Sequence, residues 1–140
     1  NFNQNLNLDN IYSRTSYTIV TETDFEEPHL TSCTEKSYLS LFYETLPIVV
    51  SVPGTVQMLK SQGFDVFDDI VNHDYDKEDY VIKRCNEIYK ELKRISLQDL
   101  KHLDYKIKTY CLQRLQNNID NLIKLGNKEN LIKWINNQIA

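Results

Sequence analysis

The sequence predicts an α/β domain built on a partial, Rossmann-like parallel sheet and followed by a helical C-terminal region. Three observations carry that expectation. A short continuous apolar run, Ile48-Val49-Val50 with Val52, suits a strand buried on both faces of a parallel sheet. β-rich and helical segments alternate before it and after it. From Glu78 onward the apolar spacing is helical.

In chain order, Asn1 to Thr15 carries little periodicity and reads as a leading segment. Ser16 to Glu22 is β-rich and compact, and predicts a buried strand with Ile19 and Val20 adjacent. Thr23 to Cys33 is polar, holds Pro28 and the acids Asp24, Glu26 and Glu27, and reads as a loop. Leu39, Phe42, Tyr43 and Leu46 recur at helical steps, so Thr34 to Thr45 predicts a helix capped by Ser32 or Thr34 and ended by Pro47. The aromatics Tyr38, Phe42 and Tyr43 on it are expected in the core. Pro53-Gly54 then makes a turn into a short helix, Thr55 to Gln62, with Gly63 at the position after its C-cap. Phe64 to Phe67 reads as one more short strand, and Asp68 to Asp79 as a polar, acidic connection.

The helical half follows. Tyr80 or Val81, Ile82, Cys85, Ile88, Tyr89, Leu92 and Ile95 predict one helix with that apolar face. Lys83, Lys90, Lys93 and Arg94 belong to its solvated side. Leu97 to Leu125 predicts a second long helix or two shorter ones, broken by Gly126 and Asn127. Leu131 to Ile139 predicts a last amphipathic helix bearing Trp134. The organisation is one domain: a β/α segment over 1–76 and a helical region over 77–140. Two or three strands are few for a doubly wound sheet. The chain, which begins at Asn1 without Met, is therefore expected to be the end of a larger domain, or its sheet to be completed by another chain; an N-terminal domain outside this chain and a second copy of it are the expected protein partners.

Bulk properties narrow the function. The 140 residues carry a net charge of −4, with 41% hydrophobic and 26% charged residues. A basic field is absent, which argues against nucleic acid as the partner. No apolar run is long enough for a membrane span. Three widely spaced cysteines, Cys33, Cys85 and Cys111, fit neither a disulfide framework nor a cysteine zinc site, so a reducing, cytoplasmic setting is expected. His29, His73 and His102 lack ligand spacing and read as surface or loop histidines. Asp68-Asp69 and Asp74-Tyr75-Asp76 have the look of an Asp-x-Asp metal site, but read better as an acidic loop before a helix. No metal and no resident cofactor is expected.

In open parallel sheets, ligands gather at the carboxyl ends of the strands. Glu22 ends the first predicted strand and Thr34-Glu35-Lys36 opens the next helix, so these residues are expected on one rim. A helix start offers free amides and partial positive charge to phosphate. Lys36 would add a full charge, Thr34 a hydroxyl, and Glu35 an acceptor suited to ribose hydroxyls. Gly54 and Thr55, at the turn after the second strand, flank the same rim.

Thr21-Glu22-Thr23, Thr34-Glu35-Lys36, Leu46-Pro47-Ile48-Val49-Val50 and Val52-Pro53-Gly54-Thr55 together resemble the donor-binding motif of the α1,3-fucosyltransferases and of related short glycosyltransferase-like proteins from phages and giant viruses. Leu59-Lys60-Ser61-Gln62-Gly63-Phe64 and Asp74-Tyr75-Asp76 resemble the viral members in particular. The resemblance covers about half of the chain. It departs from the motif at Thr21, where an aromatic is usual, at Thr23, where Asn is usual, and at Ser32-Cys33.

The resemblance implies half of a GT-B fold, the C-terminal donor domain. It implies inverting transfer of a sugar from a nucleotide-diphosphate donor, with Lys36 at the diphosphate, Glu35 at the ribose and Glu22 near the donor sugar. The catalytic base of that family lies in an N-terminal acceptor domain with no counterpart in this chain, so no catalytic residue is assigned. The alternative is a non-catalytic α/β interaction module with a vestigial nucleotide site.

Overall fold

A computed structural model describes residues 8–23, 25, 33–98, 102, 105, 107 and 109–126. The elements are α1 (Leu8–Tyr12), β1 (Tyr17–Thr21), α2 (Glu35–Phe42), β2 (Leu46–Val50), α3 (Thr55–Ser61), a 3-10 turn (Asp74–Lys77), α4 (Val81–Ser96) and α5 (Leu112–Leu125). The architecture is mixed α/β. β1 and β2 pair in parallel, with Tyr17 opposite Leu46 and Thr21 opposite Val50. None of the described helices is long and apolar enough to cross a membrane. The expected helix over Leu131 to Ile139, with Trp134, lies outside the described residues, as do Pro28 and His29.

β2 shows why an apolar run becomes a buried strand. Leu46, Pro47, Ile48 and Val49 are all buried. β1 is covered less completely: Val20 is buried while Ile19 is 54% exposed. Pro47 lies inside β2 and does not merely end the helix before it. In the ladder, Leu46 N donates to Ser16 O and Glu22 N to Val50 O, so even positions of β2 face β1. Pro47 is an odd position, facing away, and its missing N–H removes no sheet bond.

The outward edge of β2 is closed by side chains in place of a third strand. Val49 N donates to the Tyr75 hydroxyl at 3.0 Å, and Nε2 of His73 lies 3.1 Å from Pro47 O. These contacts satisfy edge groups that would otherwise be open to another chain.

The predicted strand at Phe64 to Phe67 is not formed. The side chain of Asn118 on α5 takes both backbone groups of Asp65, accepting from its N–H and donating to its carbonyl at 2.8 Å each. Phe67, with φ of +62°, leaves the extended region altogether. Gly63 stands after the α3 C-cap, as expected, with φ of +87°.

The face that α4 buries also differs from expectation. Arg84, Ile88, Glu91 and Ile95 are buried, while Ile82, Cys85 and Tyr89 are exposed. The spacing is helical in both sets, but two charged residues join the inner face because neighbouring loops supply their partners. Glu91 accepts from Asn72 N at 2.9 Å and pairs with Arg94 at 2.6 Å. One helix forms where little periodicity predicts none, over Leu8 to Tyr12. From this short helix, α1, Tyr12 stacks on Tyr43 with ring centroids 4.3 Å apart. Tyr38 and Phe42, expected in the core, pack half-buried against it.

Candidate functional site

Glu22 continues β1 by one ladder bond and then turns its side chain under α2. The carboxylate is 8% exposed. It accepts from Thr34 N at 3.1 Å, from the Thr34 hydroxyl, and from the Ser37 hydroxyl at 2.6 Å. A buried carboxylate is tolerated only when donors surround it, and here the start of α2 provides them. Glu22 is thus a strap between the end of β1 and the first turn of α2.

Thr34 is the N-cap, in extended conformation, with Oγ1 3.4 Å from Lys36 N. That contact is long, and leaves the amide weakly held. Glu35 is half-buried and Lys36 exposed. Neither makes an ion pair with a described residue. The Lys36 ammonium stands in the first turn, where a cation opposes the helix dipole.

The second half of the expected site is arranged differently. Gly54 has φ of +84°, which lets the chain turn from β2 into α3 without a Cβ penalty. Thr55 is fully buried. Its hydroxyl lies 2.9 Å from Val52 O and 3.0 Å from the Ser51 hydroxyl, so it is committed to holding this turn. The first amides of α3 are occupied: Val56 N and Gln57 N each donate to the Asp76 carboxylate at 3.0 Å, and Gly54 N donates to Asp76 O at 2.9 Å. An internal carboxylate therefore fills the place an external phosphate would take.

The expected residues fall into two groups. Glu22 and Thr34 are in direct contact, with Glu35 and Lys36 following in the chain. Gly54 and Thr55 belong to the turn that Asp76 closes. The groups adjoin at Cys33. Burial pushes the Cys33 thiol up to about 12, and the charges of Glu22 and then Asp76 add to the rise.

Beside this junction opens a cleft of about 880 Å³, within the size range of small-molecule sites. Gly54, Gln57, Lys60, Asn72, Asp74 and Asp79 are among the residues that line it. Most of its charges are paired internally. Lys60 meets Asp68 at 2.6 Å and Lys77 meets Asp74 at 2.7 Å. His73 lies in the irregular segment before the 3-10 turn, as a loop histidine would, but it is buried and not at the surface, with Nδ1 3.2 Å from Asp68. Both of its ring nitrogens face oxygens of the protein. No group of three or more acidic, histidine or cysteine side chains is gathered for a metal among the described residues.

Ser37, Tyr75 and Asp76 were not assigned to the rim by sequence reasoning. Ser37 stands three residues after the capping Thr34, but its hydroxyl turns to Glu22, fifteen residues upstream, which no local pattern marks. For Asp76 the Asp-Tyr-Asp run attracted notice for metal chemistry, whereas its carboxylate caps a helix twenty residues upstream. No family model matches the chain, and neither a curated protein nor a solved structure matches it.

Proposed function

We propose that this chain is the donor-binding half of a GT-B-type glycosyltransferase, holding a nucleotide-diphosphate sugar at the start of α2 in a cytoplasmic setting. The supporting observation is the exposed Lys36 in the first turn of α2, which has no ion-pair partner among the described residues and lies beside a carboxyl end of a parallel sheet. A diphosphate at that place would gain the ammonium charge and the weakly held Lys36 amide. In a transfer reaction the same charge would stabilise the leaving diphosphate. Glu35, half-buried on the next position, suits ribose hydroxyls.

With α3 closed by Asp76, the diphosphate is assigned to α2 alone, and Gly54 contributes through the cleft it lines. Glu22 acts by holding Thr34 and Ser37. The acceptor and the catalytic base are assigned to an N-terminal domain outside this chain, or to a second copy.

One observation favours a second reading, a non-catalytic interaction module. α4 exposes Ile82 at 61% and Tyr89 at 63%, on the same side as Cys85. Contiguous exposed apolar side chains on a helix suit a protein contact. Calorimetric titration with GDP, UDP and ADP separates the two. Saturable binding of at least one diphosphate supports donor binding; no heat from any of them at millimolar ligand supports the module.

A further inference from the structure

Among the described residues, the largest fully buried side chain is a cation. Arg84 is 1% exposed, stands in the first turn of α4, and has no carboxylate partner among the described ion pairs. A positive charge there gains nothing from the helix dipole. Its burial must be explained by what the guanidinium touches.

Nη1 donates to Glu78 O at 2.8 Å and lies 3.3 Å from Asp79 O. Nη2 donates to Phe25 O, and the guanidinium carbon sits 4.6 Å from the centre of the Phe25 ring. Nε is buried, with no hydrogen-bond partner among the described residues. One rigid fork thus joins two chain segments that are 59 residues distant at Arg84 and Phe25. Phe25 follows β1 and lies three residues beyond Glu22. Glu78 and Asp79 follow the 3-10 turn that presents Asp76, and Asp79 lines the cleft.

We propose that Arg84 is a positioning residue: its guanidinium staples Phe25, which follows β1, to Glu78 and Asp79, which precede α4, and so fixes the two sides of the rim on which the donor is held. The role as a rim staple stands on these contacts alone, and its link to the donor rests on the reading of the function given above. A lysine cannot replace it, because one ammonium lacks the planar fork that reaches carbonyls on two segments while lying over a ring. The orphaned Nε is consistent with a residue retained for geometry, since an apolar side chain would avoid that cost.

The test uses the full chain and compares wild type with R84K and F25L by amide hydrogen exchange, alongside GDP titration. In R84K, exchange at Glu78, Asp79 and Tyr80 and at Thr23 and Phe25 is expected to rise about tenfold, while α5 amides keep their protection. F25L, which removes only the ring, is expected to loosen Glu78 to Tyr80 across the staple by a smaller factor. Unchanged exchange in both variants would overturn the proposal. So would a uniform rise that includes α5, which marks general destabilisation. Should R84K fail to fold, F25L decides: cross-loop loosening supports the staple, and its absence refutes it. GDP binding that weakens in step with the loosening supports the link to the donor. Loosening without any GDP binding by wild type leaves the staple standing and refutes only the donor reading.

Discussion

The Ser37 hydroxyl donates to Oε1 of Glu22 at 2.6 Å, and so ties the end of β1 to the first turn of α2. The two residues are fifteen positions apart in the chain. Thr34 adds its amide and hydroxyl to the same carboxylate. A side chain expected at the donor sugar thereby becomes part of the frame that holds the first turn of α2.

Replacing that carboxylate by its amide tests the strap. E22Q keeps the shape but turns an NH2 group toward donors, so roughly 1–3 kcal/mol of stability should be lost. Urea denaturation of E22Q against wild type measures it. A loss below about 0.5 kcal/mol, within the range of an ordinary surface substitution, would mean that Glu22 is not a strap.

The thiol beside Glu22 offers a second reading of the same junction. Burial first, and the Glu22 charge second, keep Cys33 protonated up to about 12. At pH 8, iodoacetamide should therefore modify the exposed Cys85 well before Cys33 or the buried Cys111. In E22Q, Cys33 should react faster, because one of the charges opposing its thiolate is gone. Mass spectrometry of the labelled peptides reports the order, and Cys33 reacting as fast as Cys85 in wild type would contradict it.

Asp76 holds the start of α3 through Val56 N and Gln57 N. D76A leaves both amides without a partner and should cost about 1–3 kcal/mol. D76N, with one acceptor oxygen, should fall between. Thermal or urea unfolding of the three proteins gives the ranking. Equal stability of D76A and wild type would mean that the cap contributes nothing.

Acid should weaken the fold through Glu91. Burial raises its pKa, but hydrogen bonds from Arg94 and from the Asn72 amide outweigh that, and the net shift is downward from 4.5. A carboxylate depressed in the folded state contributes stability that is present above its unfolded pKa and lost as pH falls through the folded value. The urea midpoint should hold from pH 7 to about 5, then drop below 4.5. E91Q should show a lower midpoint at pH 7 and a shallower decline below 4.5. A parallel decline in both proteins would assign the acid sensitivity elsewhere.

How much of this was legible in the sequence follows from what each element depends on. β1, α2, β2 and α3 were readable, because apolar runs, the Thr34 cap and Gly63 are local signals. The segment from Phe64 to Phe67 was misread as a strand because its backbone partners belong to Asn118, fifty-three residues away from Asp65. Local alternation holds no trace of such a side chain. α4 was placed well but rotated: Ile82, Cys85 and Tyr89 are apolar by type, yet Arg84 and Glu91 lie inside because loops bring carbonyls and amides to them. At the site, Thr34 and Glu22 were rightly put side by side by the rim argument. That Asp76 would close α3 was hidden, since an acidic turn looks the same whether it faces water or a helix start.

The most direct measurement of the central claim is calorimetric titration of GDP, UDP and ADP into wild type and K36A at low salt. The account predicts saturable binding of at least one diphosphate by wild type, weakened by tenfold or more in K36A (about 1.4 kcal/mol), with the fold of K36A unchanged. Equal affinity of the two proteins, or no binding by wild type, would contradict it.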